Sequence, residues 1–242
     1  MNIAVIPAGG QGKRMGNLSA TSPSKQFLLL GGVPLIVHTL RQFDNCPDID
    51  AILVALPKQE IESETLPQLC KEYGLKKVLP PVEGSSERQL SIFAALKWLS
   101  ESDLYEKIAT VAIHDAVRPF VTPEIITATI EKALLYGAAL CALPATDTIK
   151  EVSENKVLRT LPRTYIYQAQ TPQTFRYKLI WQAHKRAAEE NFFATDDAML
   201  IEWQGETVVI VEGSPENIKI TKPSDLVLAE FLLSQRQSTT SS

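Results

Sequence analysis

The residues best placed to do chemistry begin at Gly9. Gly9, Gly10, Gln11 and Gly12 run directly into Lys13, Arg14, Met15 and Gly16. A backbone with so few side chains can turn tightly and leave its N–H groups bare, and two cations stand beside them. Such a loop suits an anion, phosphate above all, because N–H groups and a guanidinium fork both match its oxygens. Neither familiar glycine pattern is met. A P-loop needs glycine where Pro7 stands and Ser or Thr where Arg14 stands, and a dinucleotide fingerprint needs Gly or Ala where Met15 stands. A plain strand-to-helix turn is the alternative, but fewer glycines would serve it.

Other groups join this loop as candidates. Asp115 lies in His114-Asp115-Ala116-Val117-Arg118-Pro119, directly after an apolar run, where a strand-end turn residue is the competing reading. Lys25 precedes the apolar run Phe27–Leu30. Lys219 sits among β-branched neighbours, where an edge-strand lysine that discourages aggregation is common. Ser85 and Ser86 precede a helical pattern and could contact a base or ribose, or simply cap the helix. His114 is better suited to structure than to catalysis, and His38 and His184, in helices without a partner pattern, are assigned no chemistry.

The elements that must position these residues alternate. Ile3–Ile6 is an apolar run of the kind that forms a buried central strand. A helix from Pro34 carries Ile36, Leu40 and Phe43 at helical spacing, and Ala51–Leu56 is a second buried strand. A polar helix spans about 58–73, and Lys77–Leu79 begins a third strand before Pro80-Pro81. This βαβαβ order predicts a largely parallel sheet with right-handed crossovers and helices on both faces. A helix from Arg88, a strand at 110–113, a helix from Pro123 and a strand at 138–143 continue it. Residues 145–165 are polar and turn-rich and read as an extended hairpin, which needs something to lean on. Tyr167–Phe175 returns to the body. A helix over 176–190, a short helix after Ala194-Thr195-Asp196-Asp197-Ala198, strands at 207–211 and 216–221, and a helix from Pro223 complete the chain.

Ligands of open α/β sheets gather outside the carboxyl ends of the strands. If the strands ending at Pro7 and Ile113 are parallel, the glycine loop and Asp115 share one edge.

Composition narrows the function. A 242-residue chain, 45% hydrophobic and 21% charged, can bury a proper core. Its net charge of −4 argues against a broad nucleic-acid or anionic-membrane surface, so a small phosphate compound is the expected ligand. The three cysteines, Cys46, Cys70 and Cys141, are scattered without metal-ligand spacing and fit reduced thiols. No signal-like segment or spanning apolar run is evident, which favours a cytoplasmic protein. The organisation expected is one domain over 1–235, including the arm at about 145–166, followed by a flexible tail at 236–242.

Taken together, PAGGQGKRMG, SKQF, SSERQLS, HDAVRPF, DTIK, QTPQTF, TDDA and ENIKIT, in this order from Ile3 to about Phe231, resemble the 2-C-methyl-D-erythritol 4-phosphate cytidylyltransferase family. The resemblance implies a Rossmann-like nucleotidyltransferase fold with an extended β-arm. It implies a homodimer in which that arm crosses to the partner's site. CTP would be held by Ala8, Gly9, Gly10, Gln11 and Gly12, with Gly84, Ser85 and Ser91 near the cytidine. Arg14, Lys25 and Lys219 would be the catalytic cations. Asp115 would place a divalent metal, Mg²⁺ or another, between nucleotide and sugar phosphate. Arg118, Thr148, Arg163 and Thr171 would meet methylerythritol phosphate, together with Asp115 and Lys219. Many members have a second glycine where this chain has Ser85, and some have Asp where it has Ser86.

The reaction so implied is attack of the sugar phosphate on the α-phosphorus of CTP, in non-mevalonate isoprenoid synthesis. Both reactants are anions, so positive charge and alignment are what the protein must supply. A ribitol 5-phosphate cytidylyltransferase would share the glycine loop, the HDAVRP segment and the TPQ strand. A non-catalytic nucleotide sensor on the same fold is the more distant alternative.

Overall fold

A computed structural model describes residues 1–9 and 24–240, with side chains through 238. In chain order the elements are β1 (Asn2–Pro7), β2 (Leu29–Leu30), β3 (Val33–Pro34), α1 (Leu35–Asn45), β4 (Ala51–Leu56), α2 (Lys58–Glu62), α3 (Thr65–Tyr73), β5 (Val82–Glu83), α4 (Arg88–Glu101) and β6 (Thr110–Ile113). They continue with α5 (Pro123–Tyr136), β7 (Ala138–Pro144), β8 (Ile149–Ser153), β9 (Lys156–Leu161), β10 (Tyr167–Arg176), α6 (Tyr177–Glu189), α7 (Asp197–Trp203), β11 (Val209–Glu212) and α8 (Pro223–Thr240).

A seven-stranded sheet runs in the order β11-β7-β10-β6-β1-β4-β5. β1 pairs in parallel with both β4 and β6, and only β10 runs antiparallel to its neighbours β6 and β7. From β1 the chain steps outward to β4 and β5, then returns across α4 to place β6 on the other side of β1. The switch point of the sheet therefore lies between β1 and β6, and ligands of such sheets bind outside the carboxyl ends of the strands at that point.

Alternation along the strands explains the layers. Ile3, Val5 and Leu53 face a core shared with α4, α6 and α7, while Ala4, Ile6, Ile52 and Val54 face one shared with α1, α3 and α5. Leu53 is fully buried, so cutting it back to Ala would cost about 2–5 kcal/mol. α8 closes a smaller cluster of Leu30, Leu35, Phe120, Ile220 and Ala229.

Several elements differ from the sequence expectation for identifiable reasons. Helix 58–73 is divided into α2 and α3, with Glu64 at φ 54° between them. Within one helix the Pro67 ring would collide with the Ser63 carbonyl, whereas in the first turn of α3 it is tolerated. At Lys77–Leu79 the chain makes only a bridge to Ile52 through Val78, and pairing with β4 resumes at Val82. Pro80 and Pro81 have no N–H with which to carry a ladder through.

Residues 216–221 are not a strand. Ile220 N–H donates to Val117 O of the HDAVRP loop (3.0 Å), and Asp225 Oδ2 accepts from the N–H groups of Thr221 and Lys222. The tail expected from 236 instead continues α8 to Thr240. Arg236 anchors it, donating to Phe120 O (3.0 Å) and Glu216 Oε2 (2.8 Å).

The hairpin expected at 145–165 is present as β8 and β9, which among the described residues pair only with each other. Glu154 and Asn155, both at positive φ, form its two-residue turn, the geometry that matches strand twist.

Candidate functional site

The site is built at the switch point. β1 delivers Ala8 and Gly9 to the edge, and Ala8 N–H donates to Ala55 O (2.8 Å), so the strand end is tied to β4. Gly84 follows β5 and is tied to Leu56 O (2.8 Å). Gly9 comes so close to this second loop that a Cβ there would lie 2.6 Å from Ser85 O. Only glycine allows that approach.

Ser91 holds the loop in place. Its Oγ accepts from Ser85 N–H (2.9 Å) and lies within donating reach of Ser85 O and Glu87 O. Its hydroxyl is thus engaged with backbone. The residue at the N-cap of α4 is Glu87, without a side-chain capping bond, so neither Ser85 nor Ser86 caps that helix.

Asp115, two residues beyond β6, is the centre of the charge arrangement. Arg88 Nε donates to its Oδ1 (2.9 Å), Lys219 Nζ lies 2.8 Å from its Oδ2, and Arg118 Nε lies 3.6 Å from the same oxygen. Burial by itself would raise the pKa of this carboxyl, but Arg88, Lys219 and Arg118 outweigh it and hold it far below the ordinary carboxylate range. Asp115 is therefore ionised at any physiological pH. Arg88 stays charged because Asp197 and Asp115 more than offset the burial that opposes its charge.

β10 supplies the floor. Its register with β7 shifts between Ala169 and Gln173, and the irregularity places Gln170 and Thr171 at the site. Thr171 Oγ1 accepts from Asp115 N–H (3.2 Å) and lies 3.0 Å from His114 Nδ1. His114 is fully buried, with Nε2 3.1 Å from Arg118 O, and burial drives its pKa down to about 4. It supports the loop as a neutral ring.

Lys219 is held by an irregular segment, which is why its environment was hidden in the sequence. Gln170 donates to Ser214 O (2.9 Å) and accepts from Ser214 N–H (3.3 Å) and from Asn217 Nδ2 (3.3 Å). Asn217 also donates to Thr171 O (2.8 Å), and Arg118 donates to Asn217 O (2.6 Å). These bonds fix the backbone on which Lys219 stands, next to Asp115.

Of the residues expected from sequence, Ala8, Gly9, Gly84, Ser85, Ser91, Asp115, Arg118, Thr171 and Lys219 lie at this edge. Gly10, Gln11, Gly12 and Arg14 lie outside the described residues. Lys25 opens a 3-10 turn, Lys25–Phe27, whose Gln26 donates to Glu60 Oε2 (2.9 Å). Thr148 and Arg163 are exposed on the arm, where Arg163 donates to Thr146 O (2.5 Å). Among the described residues no hydrogen bond or ion pair joins either of them to Asp115.

Sequence reasoning did not single out Arg88 or Asp197, and it assigned His184 no chemistry. Arg88 and Asp197 lie in the quoted SSERQLS and TDDA stretches, and an Arg opening a helix behind the serines was the signal for the first. His184 faces Asp197 across a helix turn and loop, which no local spacing reveals.

A switch point that brings an ionised carboxylate and several cations beside a glycine-lined strand end suits phosphate compounds, and the solved structures that superimpose on the chain place it among the nucleotidyltransferases of Rossmann-like α/β architecture. The family model for 2-C-methyl-D-erythritol 4-phosphate cytidylyltransferase matches residues 2–235, and the chain belongs to that family. The cytidylyltransferase of that name from Halalkalibacterium halodurans is 43% identical over 233 residues, spanning 96% of this chain and 97% of its own length. The one from Acidobacterium capsulatum is 44% identical over 241 residues, spanning 98% of each. Among solved structures, 4-diphosphocytidyl-2C-methyl-D-erythritol synthase from Anaerococcus prevotii superimposes with a TM-score of 0.81 at 30% identity, covering 97% of this chain and 96% of that one. The Thermus thermophilus cytidylyltransferase gives 0.76 at 32% identity, covering 97% and 100%.

Proposed function

We propose that the protein transfers the cytidylyl group of CTP to 2-C-methyl-D-erythritol 4-phosphate, releasing pyrophosphate, as a step of isoprenoid biosynthesis. The observation that carries this reading is the convergence of Lys219, Arg118 and Arg88 on Asp115 at the switch point, within the frame of a family whose members are named for this reaction.

A phosphate oxygen of the sugar phosphate attacks the α-phosphorus, a new P–O bond forms, and the bond to the β-phosphate oxygen breaks with its electron pair leaving on pyrophosphate. The attacking oxygen is already deprotonated near neutral pH, so no general base is needed. The protein's task is to offset charge and align two anions. In this reading Arg14, Lys25 and Lys219 stabilise the α-phosphoryl oxygens and the leaving group, Ala8 to Gly12 hold the phosphates, and Gly84, Ser85 and Ser91 shape the cytidine pocket. Gly9 supports that assignment, since its contact with Ser85 joins the phosphate and cytidine sides.

Among the described residues no group of three or more His, Cys, Asp or Glu could hold a metal ion. Mg²⁺ nevertheless fits Asp115, because it is commonly bound by one or two carboxylates with substrate phosphates completing its shell. The ionised state of Asp115 supports this, and Lys219, with its side chain half exposed, is the partner able to move aside. When bound, Mg²⁺ would neutralise charge on the phosphates and orient them.

The sugar phosphate would meet Arg118, Thr171 and Lys219 from its own subunit and Thr148 and Arg163 from the arm of a second copy. Exposed Val152, Val157, Leu158 and Tyr165 on and beside the hairpin support a homodimer, since an isolated hairpin needs a surface to cover such groups. A cytoplasmic location is consistent with the absence, among the described residues, of any helix long and apolar enough to cross a membrane.

The test is to follow the α-phosphorus by phosphorus NMR while CTP and Mg²⁺ are offered with 2-C-methyl-D-erythritol 4-phosphate or ribitol 5-phosphate. A diphosphate-diester product with the former and none with the latter is expected. Turnover of ribitol 5-phosphate alone would replace the proposed substrate, and no product with either would overturn the reading.

A further inference from the structure

Behind Asp115, reached through Arg88, lie two buried polar side chains, Asp197 and His184, to which the proposed reaction assigns no part. Asp197, the first residue of α7, is 1% exposed. Its Oδ2 accepts from Arg88 Nη1 at 2.6 Å, and its Oδ1 lies 3.0 Å from His184 Nε2. The same guanidinium donates through Nε to Asp115 Oδ1. The chain of contacts is thus His184, Asp197, Arg88, Asp115, reaching from the α6 core to the substrate edge.

Asp197 is itself fixed by the sheet. Gln173 of β10 accepts through Oε1 from the N–H groups of Asp197 and Ala198, both at 3.0 Å. Its Nε2 donates to Asp196 Oδ2 (2.9 Å), and Asp196 in turn caps α7 by accepting from Met199 N–H (3.0 Å). His184 Nδ1 is buried without a hydrogen-bond partner among the described residues, so the ring's polar contact is the one to Asp197.

A carboxylate this deeply buried is costly, and two apolar residues could fill the space at no loss of stability. What apolar residues could not do is hold Arg88. The guanidinium is a rigid planar fork, so fixing Nη1 on Asp197 sets the direction of Nε and hence the orientation in which it holds the Asp115 carboxylate. Oδ1 is committed to Arg88, and Oδ2 is left turned towards Lys219 and Arg118.

We propose that Asp197, backed by His184, is a positioning residue that acts through Arg88 to orient Asp115, presenting Oδ2 to the metal–nucleotide complex. This rests on the reading of Asp115 given under Proposed function. Groups behind a metal-binding carboxylate matter in this way because they fix its orientation, and their loss costs about 10–100-fold in metal affinity.

The test uses Asp197→Asn, which keeps the shape and removes the charge, and Arg88→Lys, which keeps the charge and removes the fork. Mn²⁺ uptake in the presence of CTP, without sugar phosphate, is measured by electron paramagnetic resonance, alongside thermal unfolding. Both variants are expected to weaken Mn²⁺ binding about tenfold or more. The double variant Asp115→Asn with Asp197→Asn is expected to bind no worse than Asp115→Asn alone, because both changes act on one oxygen. Wild-type Mn²⁺ affinity in either folded variant, even with a lowered Tm, would reduce the line to a core ion pair and overturn the proposal, as would additive losses in the double variant. Should Asp197→Asn fail to fold, Arg88→Lys decides the matter by the same readout. Wild-type protein that takes up no Mn²⁺ with CTP would instead overturn the reading of Asp115 as a metal-binding carboxylate, a failure seen before any variant is made.

Discussion

Lys219 Nζ lies 2.8 Å from Asp115 Oδ2, although one stands on an irregular segment before α8 and the other at the end of a central strand. The pairing does two things. It keeps a cation at the edge where two anionic reactants would meet, and it adds to Arg88 in keeping Asp115 ionised despite burial. The first prediction concerns this lysine. Lys219→Ala should lower kcat by about 10²–10³, equivalent to about 3–4 kcal/mol, as loss of a preorganised donor does. Steady-state turnover with a parallel melting curve checks it, and near-normal kcat in a folded variant would remove Lys219 from the mechanism. Arg14→Ala is expected to behave likewise.

Gly9→Ala makes a different demand. The new Cβ would lie 2.6 Å from Ser85 O, a backbone atom that Ser91 helps to fix, so the two loops must part. Displacement of roughly an ångström in a positioning element can cost about a hundredfold, and kcat/KM for CTP should fall by about that factor while KM for the sugar phosphate changes little. An unaltered kcat/KM for CTP would show that the contact is packing alone.

Arg163→Ala should raise KM for the sugar phosphate more than KM for CTP, if the arm serves a partner's site. Mixing this variant with Lys219→Ala gives a sharper check. A hybrid dimer would combine an intact Lys219 from one subunit with an intact Arg163 from the other, so activity should return on mixing. Additive inactivity would place Arg163 in its own subunit's site or in none.

His114 gives a prediction about pH. Its pKa falls from 6.5 to about 4 on folding because burial penalises the charged ring. Between those values the unfolded chain binds the proton and the folded one does not, so stability is lost as pH falls through this window and is complete above it. The loss should be about 3 kcal/mol at most. Melting curves at closely spaced pH values should show a shallower decline for His114→Asn than for wild type between pH 6.5 and 4, and equal slopes would contradict the assignment.

Much of the fold was legible because alternation of buried strands and helices is a strong local signal, and Ile3–Ile6, Ala51–Leu56 and Thr110–Ile113 are where the runs placed them. Pro80-Pro81 and Pro67 show the limit: each is visible in sequence, but which way a proline redirects the chain depends on the strand or helix it interrupts. The site divided in a similar way. Asp115 could be placed because it follows a strand that the alternation rule made parallel to β1. The setting of Lys219 could not, because Gln170 and Asn217 hold it through side-chain bonds to backbone that leave no periodic trace. Arg88 and Asp197 were hidden for a related reason, since a buried ion pair is formed by distant segments and only the folded chain sets them 2.6 Å apart.

The central claim is that the triphosphate and the sugar phosphate meet at the Asp115 cluster. A crystal structure with CTP and Mg²⁺ tests it most directly. The account predicts the triphosphate bridging the Gly9 loop and Lys219, with Asp115 facing the metal. Nucleotide bound away from the β1–β6 edge, with Lys219 still paired to Asp115 and touching no phosphate, would contradict it.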